Sequence, residues 1–189
     1  MDYAFGDNPI TLIESTATGT VVAFSAVSLT DDVEAESRFV THLPVYSLKA
    51  AAGYFGDGHE VEAEGWVDVS AADVGALDES MFVSEVIGRS MEPRIPDRSL
   101  CVFRPIGAGT RNGKIVLAQH RDIADPETGG SYTVKRYRSA KRNVDGEAVG
   151  TIELRPLNRE YQPIILTNVS DEDVTIIGEL VEVLGRVGQ

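Results

Sequence analysis

The fold of this chain is decided by the stretch Val86-Ile87-Gly88-Arg89-Ser90-Met91-Glu92-Pro93-Arg94-Ile95-Pro96-Asp97. An apolar strand runs into a glycine and then into a serine on a sharp turn, and the two prolines prevent the turn from continuing as a long helix. Such a turn presents the Ser90 hydroxyl at the end of a strand, with backbone N–H groups aimed outward as an oxyanion hole requires. Serines after strands are also common turn formers, so a purely structural role for Ser90 stays open.

The rest of the chain repeats short β-branched or aromatic runs separated by turn residues, which predicts a mostly β fold. Helices are expected only at Ser70–Ala76, where Ser70 is a candidate N-cap, and as a single turn after Ser90. The predicted strands are Gly19–Leu29, Arg38–Val45, Gly65–Val69, Phe82–Ile87, Leu100–Arg104, Lys114–His120, Tyr132–Arg138, Thr151–Pro156, Gln162–Leu166 and Val174–Leu184.

Length and composition exclude several classes of protein. The chain has 189 residues, enough for one domain or for one domain with an arm. Its apolar runs are too short to span a membrane, and its first residues lack the basic start of a secretory signal, so we expect a cytoplasmic protein without membrane contact. Cys101 is the single cysteine, and no Cys/His cluster has zinc-like spacing. We therefore expect neither a metal nor a cofactor.

Charge is distributed unevenly along the chain. The formal net charge is −13, and residues 1–70 hold twelve acidic but only two basic side chains. Proteins that bind nucleic acid normally carry a basic face, because phosphate contacts supply most of their affinity. No direct nucleic-acid binding is therefore expected. The one basic cluster, Lys135–Arg142, is either a local patch or a solvated strand surface, apart from Lys135 itself.

A base for a nucleophilic serine is the next requirement. The three histidines, at positions 42, 59 and 120, have no sequence context that resembles a triad. Lys135 lies in a predicted strand whose alternation sends Thr133, Lys135 and Tyr137 to one face. A lysine acts as a base only if its surroundings lower its pKa toward neutrality. Lysines in strands are more often surface residues, and this alternative stays open.

Small residues and glycines mark a composition boundary at Lys49–Gly58. Sequence of this kind without strong periodicity is typical of an exposed, adaptable loop. An ordinary linker between an acidic arm and a β domain is the simpler interpretation.

The motifs, taken in order, resemble the peptidase domain of the LexA and UmuD family over about residues 44–185. The matching segments are Gly88–Pro93, Ile95–Asp97, the Leu100–Phe103 strand, Gly113–Ala118, Tyr132–Arg136, Ile152–Asn158, Tyr161–Ile164 and Ile177–Val181. The ordered set is far more specific than any one of its members. The resemblance implies a bent β-sheet domain of the β-clip type over residues 61–189, preceded by a cleavage-loop region at 45–60 and an acidic, strand-rich arm at 1–44.

The resemblance also implies site residues. Ser90 would be the nucleophile and Lys135 the general base of a serine–lysine dyad, with the backbone N–H groups of Ser90 and Met91 as the oxyanion hole. Proteins of this family cleave themselves at an Ala-Gly or Cys-Gly bond, and Ala52-Gly53 matches that site. The small side chains there would let the backbone enter a narrow cleft as an extended strand, and tethering would replace tight recognition of a separate substrate.

The partners implied by the resemblance are a second copy of the chain and, beyond it, a RecA-type filament, a DNA polymerase or a helicase-like protein. The chain departs from the family in three ways. Residues 1–44 show no helix-turn-helix pair, which excludes a LexA-type repressor. The loop at 121–131 is longer than the family pattern and is a candidate partner site. The chain also lacks the membrane anchor of signal peptidases, which share the serine–lysine dyad.

Two functions therefore compete. The first is a self-processing serine peptidase with a regulatory role in a DNA-damage or defence response. The second is a catalytically idle interaction and dimerisation module of a larger nucleic-acid-processing or defence complex. A protease that acts on foreign substrates is disfavoured because nothing in the sequence indicates an extended substrate pocket.

Overall fold

The computed structural model of the protein describes residues 27–56, 61–144 and 147–186. Strands dominate these residues, and all ten belong to one sheet. The strands are β1 (Leu29–Thr30), β2 (His42–Val45), β3 (Gly65–Asp68), β4 (Phe82–Val86), β5 (Ser99–Arg104), β6 (Ile115–Gln119), β7 (Tyr132–Val144), β8 (Glu147–Arg155), β9 (Ile164–Thr167) and β10 (Thr175–Arg186). A 3₁₀ turn lies at Ala35–Ser37, and one α-helix, α1 (Leu48–Ala51), continues into a π-helical turn at Ala52–Gly56.

The strand order across the sheet is β1-β3-β2-β4-β5-β10-β6-β7-β8-β9. Only the β2–β4 pair is parallel among the strands described. β10 crosses the middle of the sheet and pairs with β5 along one half and with β6 along the other, with register shifts at three points. Register shifts of this kind bend a strand and increase its local twist, so β10 is where the sheet changes direction.

Three clusters of buried apolar side chains form the core of the described residues. Cluster one contains Met91, Phe82 and Phe103 together with residues of α1, and it underlies the turn that carries Ser90. Cluster two packs β2 and β3 on β4 and β5, and cluster three packs β6, β7 and β8 together.

The predicted mostly β fold is confirmed, and eight of the ten predicted strands coincide with observed ones to within a few residues, β7 and β8 being longer than predicted. The Arg38–Val45 prediction was too long, because residues 35–41 form a 3₁₀ turn and a bend and only His42–Val45 is a strand. Most of the predicted Gly19–Leu29 strand lies outside the described residues.

The helix predictions were wrong at Ser70–Ala76. This segment begins with a turn in which the Asp68 carboxylate accepts a hydrogen bond from the Ser70 N–H (2.8 Å). Val69 and Val74 are both buried in cluster two, and Gly75 has a φ of +73°, which no helix residue adopts. Because Val69 and Val74 are both buried in cluster two, the backbone between them follows an irregular path and not a helix.

The Lys49–Gly58 segment was predicted as an exposed loop or linker, but residues 49–56 are helical, and only some of their side chains, such as those of Lys49 and Tyr54, are exposed. Ser47 caps α1 by accepting a hydrogen bond from the Ala50 N–H (3.2 Å). Ala51 and Ala52 are buried in cluster one. Alanine has the highest helix propensity, so a capped alanine run with an apolar surface to pack on becomes a helical turn.

Candidate active site

Ser90 lies on the turn that follows β4, and backbone contacts fix this turn at both ends. The Gly88 N–H donates to Asp97 Oδ1 (2.6 Å). The carbonyl of Ser90 accepts from the N–H groups of Leu157 (3.0 Å) and Asn158 (2.9 Å). The Met91 side chain is buried in cluster one directly after the serine. The position of the Ser90 hydroxyl is therefore set by the core and by the segment that follows β8.

Lys135 lies in β7, and its side chain reaches Ser90. Lys135 Nζ lies 2.9 Å from Ser90 Oγ, 3.0 Å from Thr133 Oγ1 and 3.1 Å from Asp125 Oδ2. Thr133 and Lys135 share a face of the strand, as alternation predicts. Ser90 is 3% and Lys135 4% exposed. The structure thus brings together two residues that are 45 positions apart in sequence.

The burial of these residues bears on two sequence-based interpretations. Lys135 is not a surface lysine, because its ammonium group is enclosed by three oxygen atoms. Ser90 is not an exposed turn hydroxyl either, since it lies beneath the loop at 121–131. A buried polar group needs hydrogen-bond partners to offset its lost hydration, and this pair satisfies the need within the protein.

Asp125 was not predicted from the sequence as part of this site. One of its oxygens, Oδ1, accepts from the N–H groups of Glu127 (2.8 Å) and Thr128 (3.1 Å), which closes a tight turn in the loop. The other oxygen, Oδ2, accepts from Lys135 and from the Thr133 hydroxyl. Burial raises the pKa of Asp125, but the Lys135 charge and these hydrogen bonds outweigh it, so that the pKa lies below its ordinary value.

Glu127 is the second acidic residue that the loop brings to the site. Its Oε1 accepts from the backbone N–H groups of Arg89 (2.6 Å) and Ser90 (3.1 Å), while Oε2 lies 3.9 Å from Lys135 Nζ. The approach requires glycine at position 88, where φ is +105° and a Cβ atom would overlap the Glu127 carboxylate. The N–H groups that converge on an anion are therefore those of Arg89 and Ser90, whereas the sequence prediction had paired Ser90 with Met91.

The Tyr161 hydroxyl lies in the surroundings of this carboxylate. Burial and the negative charge of Glu127 raise the pKa of the Tyr161 hydroxyl.

A groove with a volume of about 230 Å³ adjoins the Glu127 carboxylate. It runs between the start of α1 and the loop, and Ile87, which is 44% exposed, lies on its wall. The predicted cleavage site, Ala52-Gly53, is described in the π-helical turn and not in an extended conformation. Ala52 is 3% exposed and packs in cluster one with Met91.

Other candidate groups lie apart from this arrangement. His42 hydrogen-bonds with the Thr41 hydroxyl, and His120 accepts from the Asp122 N–H, while His59 lies outside the described residues. Burial raises the pKa of the Cys101 thiol, which makes it a poor nucleophile.

Within residues 27–56, 61–144 and 147–186, no group of three or more His, Cys, Asp or Glu side chains is arranged to hold a metal ion. None of the helices in these ranges has the length and apolar character needed to cross a membrane.

The acidic residues were missed because the sequence gives only a weak signal for them. The loop was recognised as unusually long, and its Asp125-Pro126-Glu127 run is visible in the sequence. The bonds that the Arg89 and Ser90 N–H groups donate to Glu127 hold the loop over Ser90, and they are tertiary contacts that no local pattern encodes.

Comparison with known proteins agrees with the motif-based interpretation. A family model described as Peptidase S24-like matches residues 44–181, a region that contains the serine turn, the lysine strand and the loop between them. A search of curated proteins found no match. The predicted resemblance to the LexA and UmuD type of serine peptidase is thereby confirmed at the level of the family. Since the matched region covers well over half of the chain, the protein belongs to the Peptidase S24-like family.

Proposed function

We propose that the protein is a self-processing serine peptidase that cleaves its own Ala52–Gly53 peptide bond with Ser90 as nucleophile and Lys135 as general base. The observation that carries this proposal is the 2.9 Å contact between Lys135 Nζ and Ser90 Oγ, in a site from which water is largely excluded. A nucleophile within hydrogen-bond reach of a base that is itself oriented by a third group is the arrangement that acyl transfer requires.

In the proposed reaction, neutral Lys135 takes the proton of Ser90 as Oγ attacks the carbonyl carbon of Ala52. The resulting oxyanion is stabilised by backbone N–H groups of the serine turn. The carbon–nitrogen bond to Gly53 then breaks, and the departing amine receives the proton from Lys135. Water, deprotonated by the same lysine, hydrolyses the ester and restores the Ser90 hydroxyl.

Two rearrangements must precede this chemistry. The Ala52-Gly53 segment must leave its helical turn, because a scissile peptide is presented to a nucleophile in an extended conformation along a groove or strand edge. The Glu127 carboxylate must also leave the Arg89 and Ser90 N–H groups before a substrate oxygen can occupy them. The described conformation is thus a resting form in this proposal.

The test is mass spectrometry of the purified protein incubated between about pH 7 and pH 10. We expect a product that begins at Gly53, at a rate that rises with pH because only a neutral lysine accepts a proton. Ser90→Ala and Lys135→Ala should each lower the rate by about 10³-fold or more. Lys141→Ala is the matched control, since Lys141 is an exposed residue of the same strand, and it should cleave at the wild-type rate. Cleavage that persists in either dyad variant would remove the assignment.

A catalytically idle interaction module is the second candidate, and the occupied N–H groups of Arg89 and Ser90 favour it. An intact chain throughout the pH series, in wild type and variants alike, would support this alternative. In either case the resemblance to LexA and UmuD supports a regulatory role in a DNA-damage or defence response, with the chain itself and a RecA-type filament, a DNA polymerase or a helicase-like protein as partners.

A further inference from the structure

We propose that Asp125 is a positioning residue for this reaction: its carboxylate holds Lys135 so that the nitrogen lone pair of the neutral amine faces the Ser90 hydroxyl. This proposal rests on the proposed function. It concerns a residue that lies in the long loop at 121–131, outside the motifs that carry the family resemblance.

The argument begins with the hydrogens on Lys135 Nζ. An ammonium group carries three N–H donors, whereas a neutral amine carries two donors and one lone pair. Nζ has three oxygen neighbours at hydrogen-bond distance, on Ser90, Thr133 and Asp125. When Asp125 and Thr133 take the two N–H groups of the neutral amine, the lone pair is left for the proton of Ser90.

Asp125 is fixed well enough to orient another side chain. Its side chain is 2% exposed, and both of its oxygens have protein donors. Because Oδ1 is tied to the loop backbone, Oδ2 cannot rotate away from Lys135 without breaking two hydrogen bonds. An aspartate that fixes a base from the side opposite the nucleophile performs the same task in serine–histidine–aspartate sites.

Two acidic groups face Lys135, Asp125 at 3.1 Å and Glu127 at 3.9 Å, and both belong to the loop. The serine turn and β7 contribute the hydroxyls of Ser90 and Thr133. A nearby carboxylate favours the charged form of a lysine. Asp125→Asn therefore removes a negative charge beside Nζ while it keeps a side chain of the same shape.

The test compares first-order self-cleavage rates of the full chain from about pH 6 to pH 11 in wild type, Asp125→Asn and Asp125→Ala. Asp122→Asn is the matched control, because Asp122 belongs to the same loop and its side chain is 64% exposed. We expect Asp125→Asn to move the rising limb of the profile toward acid by about 1 pH unit or more. The plateau rate should fall about tenfold in Asp125→Asn and further in Asp125→Ala. The control should change neither quantity.

A residue that only caps the loop would lower the rate equally at every pH without moving the limb, and this result would overturn the proposal. A second measurement does not require cleavage: an NMR titration of the Lys135 side chain in the Ser90→Ala protein, with and without Asp125→Asn. A titration that moves toward acid supports the role of Asp125, and one that does not move contradicts it. If the wild-type chain yields no product beginning at Gly53, that failure counts against the proposed function alone.

A different set of contacts carries a second inference. We infer that Glu127 closes the site by placing a carboxylate oxygen where the oxygen of a substrate carbonyl must bind. Two backbone N–H groups on successive residues converge on Oε1, which is the geometry that stabilises an oxyanion. Hydrogen bonds from N–H groups to a carboxylate are charge-assisted and stronger than those to the neutral carbonyl of a peptide, so the Glu127 carboxylate competes well for this position. The loop is thus an autoinhibitory element.

The test for Glu127 is the rate at which a small fluorophosphonate labels Ser90, measured by mass spectrometry of the intact protein. In this reaction Ser90 Oγ bonds to phosphorus, fluoride leaves, and the hydroxyl proton passes to Lys135. The probe bypasses any movement of the Ala52-Gly53 segment. We expect Glu127→Gln to label about tenfold faster than wild type at the high-pH plateau, with Asp122→Asn unchanged.

Glu127→Gln has two effects: it weakens the contact that occupies the Arg89 and Ser90 N–H groups, and it removes a negative charge near Lys135. The shape of the pH profile of labelling separates these two effects. Faster labelling at the plateau supports occlusion of the N–H groups. A profile that only shifts along the pH axis, or labelling that is no faster, would contradict it. Labelling of Ser90 without a product beginning at Gly53 would leave this inference in place and would refute the proposed cleavage site.

Discussion

Glu179 shows how this protein accommodates a buried charge. It lies in β10 and is 6% exposed, and its carboxylate pairs with Arg104 (3.0 Å) and with Lys114. Burial raises the pKa of Glu179, but the two cations and their hydrogen bonds outweigh this effect and hold the pKa below its ordinary value. Because the folded-state pKa is below the unfolded one, the pair stabilises the fold above about pH 4.3, and this contribution is lost as the pH falls through the folded-state value.

We therefore expect Glu179→Gln to lower the free energy of unfolding by about 1–3 kcal/mol at neutral pH, because charged hydrogen bonds at a buried site are lost. The difference from wild type should shrink as the pH falls through the folded-state pKa of Glu179, because the carboxyl group of the wild type is then protonated. Denaturant unfolding over a series of pH values from neutral to acid measures both quantities. Glu85→Gln is the control, since its pair with Arg98 is long (3.7 Å) and exposed and should contribute less than about 1 kcal/mol. Equal losses for the two variants would contradict the argument.

Ser90 and Lys135 could be singled out as candidates because each lies in a recognisable local context, a glycine–serine turn and an alternating strand, and the family resemblance then implied that they form a dyad. Asp125 and Glu127 could not be assigned to the site in the same way. Their contribution depends on where an irregular loop returns in space, and the hydrogen bonds that decide this join residues 38 and 37 positions apart. A contact of that kind leaves no periodicity in the sequence.

At the scale of elements, strands were predictable and the helix α1 was not. Strand positions follow from alternating apolar residues bounded by turns, and these signals are local. The segment 48–56 reads as a loop because it is rich in glycine and small residues, yet Ser47 caps it and cluster one buries its apolar side. Short helices gain most of their stability from such packing, which composition does not reveal. The cleavage proposed above therefore requires this helical turn to open before the Ala52–Gly53 peptide can be extended.

β10 carries apolar residues on both of its faces, more than a strand with one solvent-facing side normally shows. Burial against a second copy of the chain is one explanation of such a pattern. In the structure both of its edges are paired within the chain, to β5 and β6, and its apolar side chains are distributed among all three clusters. The apolar pattern therefore has an intramolecular explanation, and strand pairing through β10 is not available to a partner.

At the scale of the whole molecule, the sheet ends at β1 and β9 among the described strands, so these are the edges that a second copy could extend. β9 is the longer of the two, and its Ile165 side chain is 51% exposed. An antiparallel pair of β9 strands would be self-complementary about a two-fold axis.

The homodimer implied by the family resemblance remains our prediction, and light scattering at micromolar concentration measures it. A dimer should give a mass of about 41 kDa, twice the 20.4 kDa of one chain, whereas a mass near that of one chain would contradict it. Ile165→Lys tests the location of the contact, because a charge on the exposed face of an edge strand disfavours pairing with a second copy while leaving the buried clusters intact. A halved mass in this variant would place the interface at β9. An unchanged dimer would place it elsewhere, because paired β9 strands would bring the two introduced lysines close together.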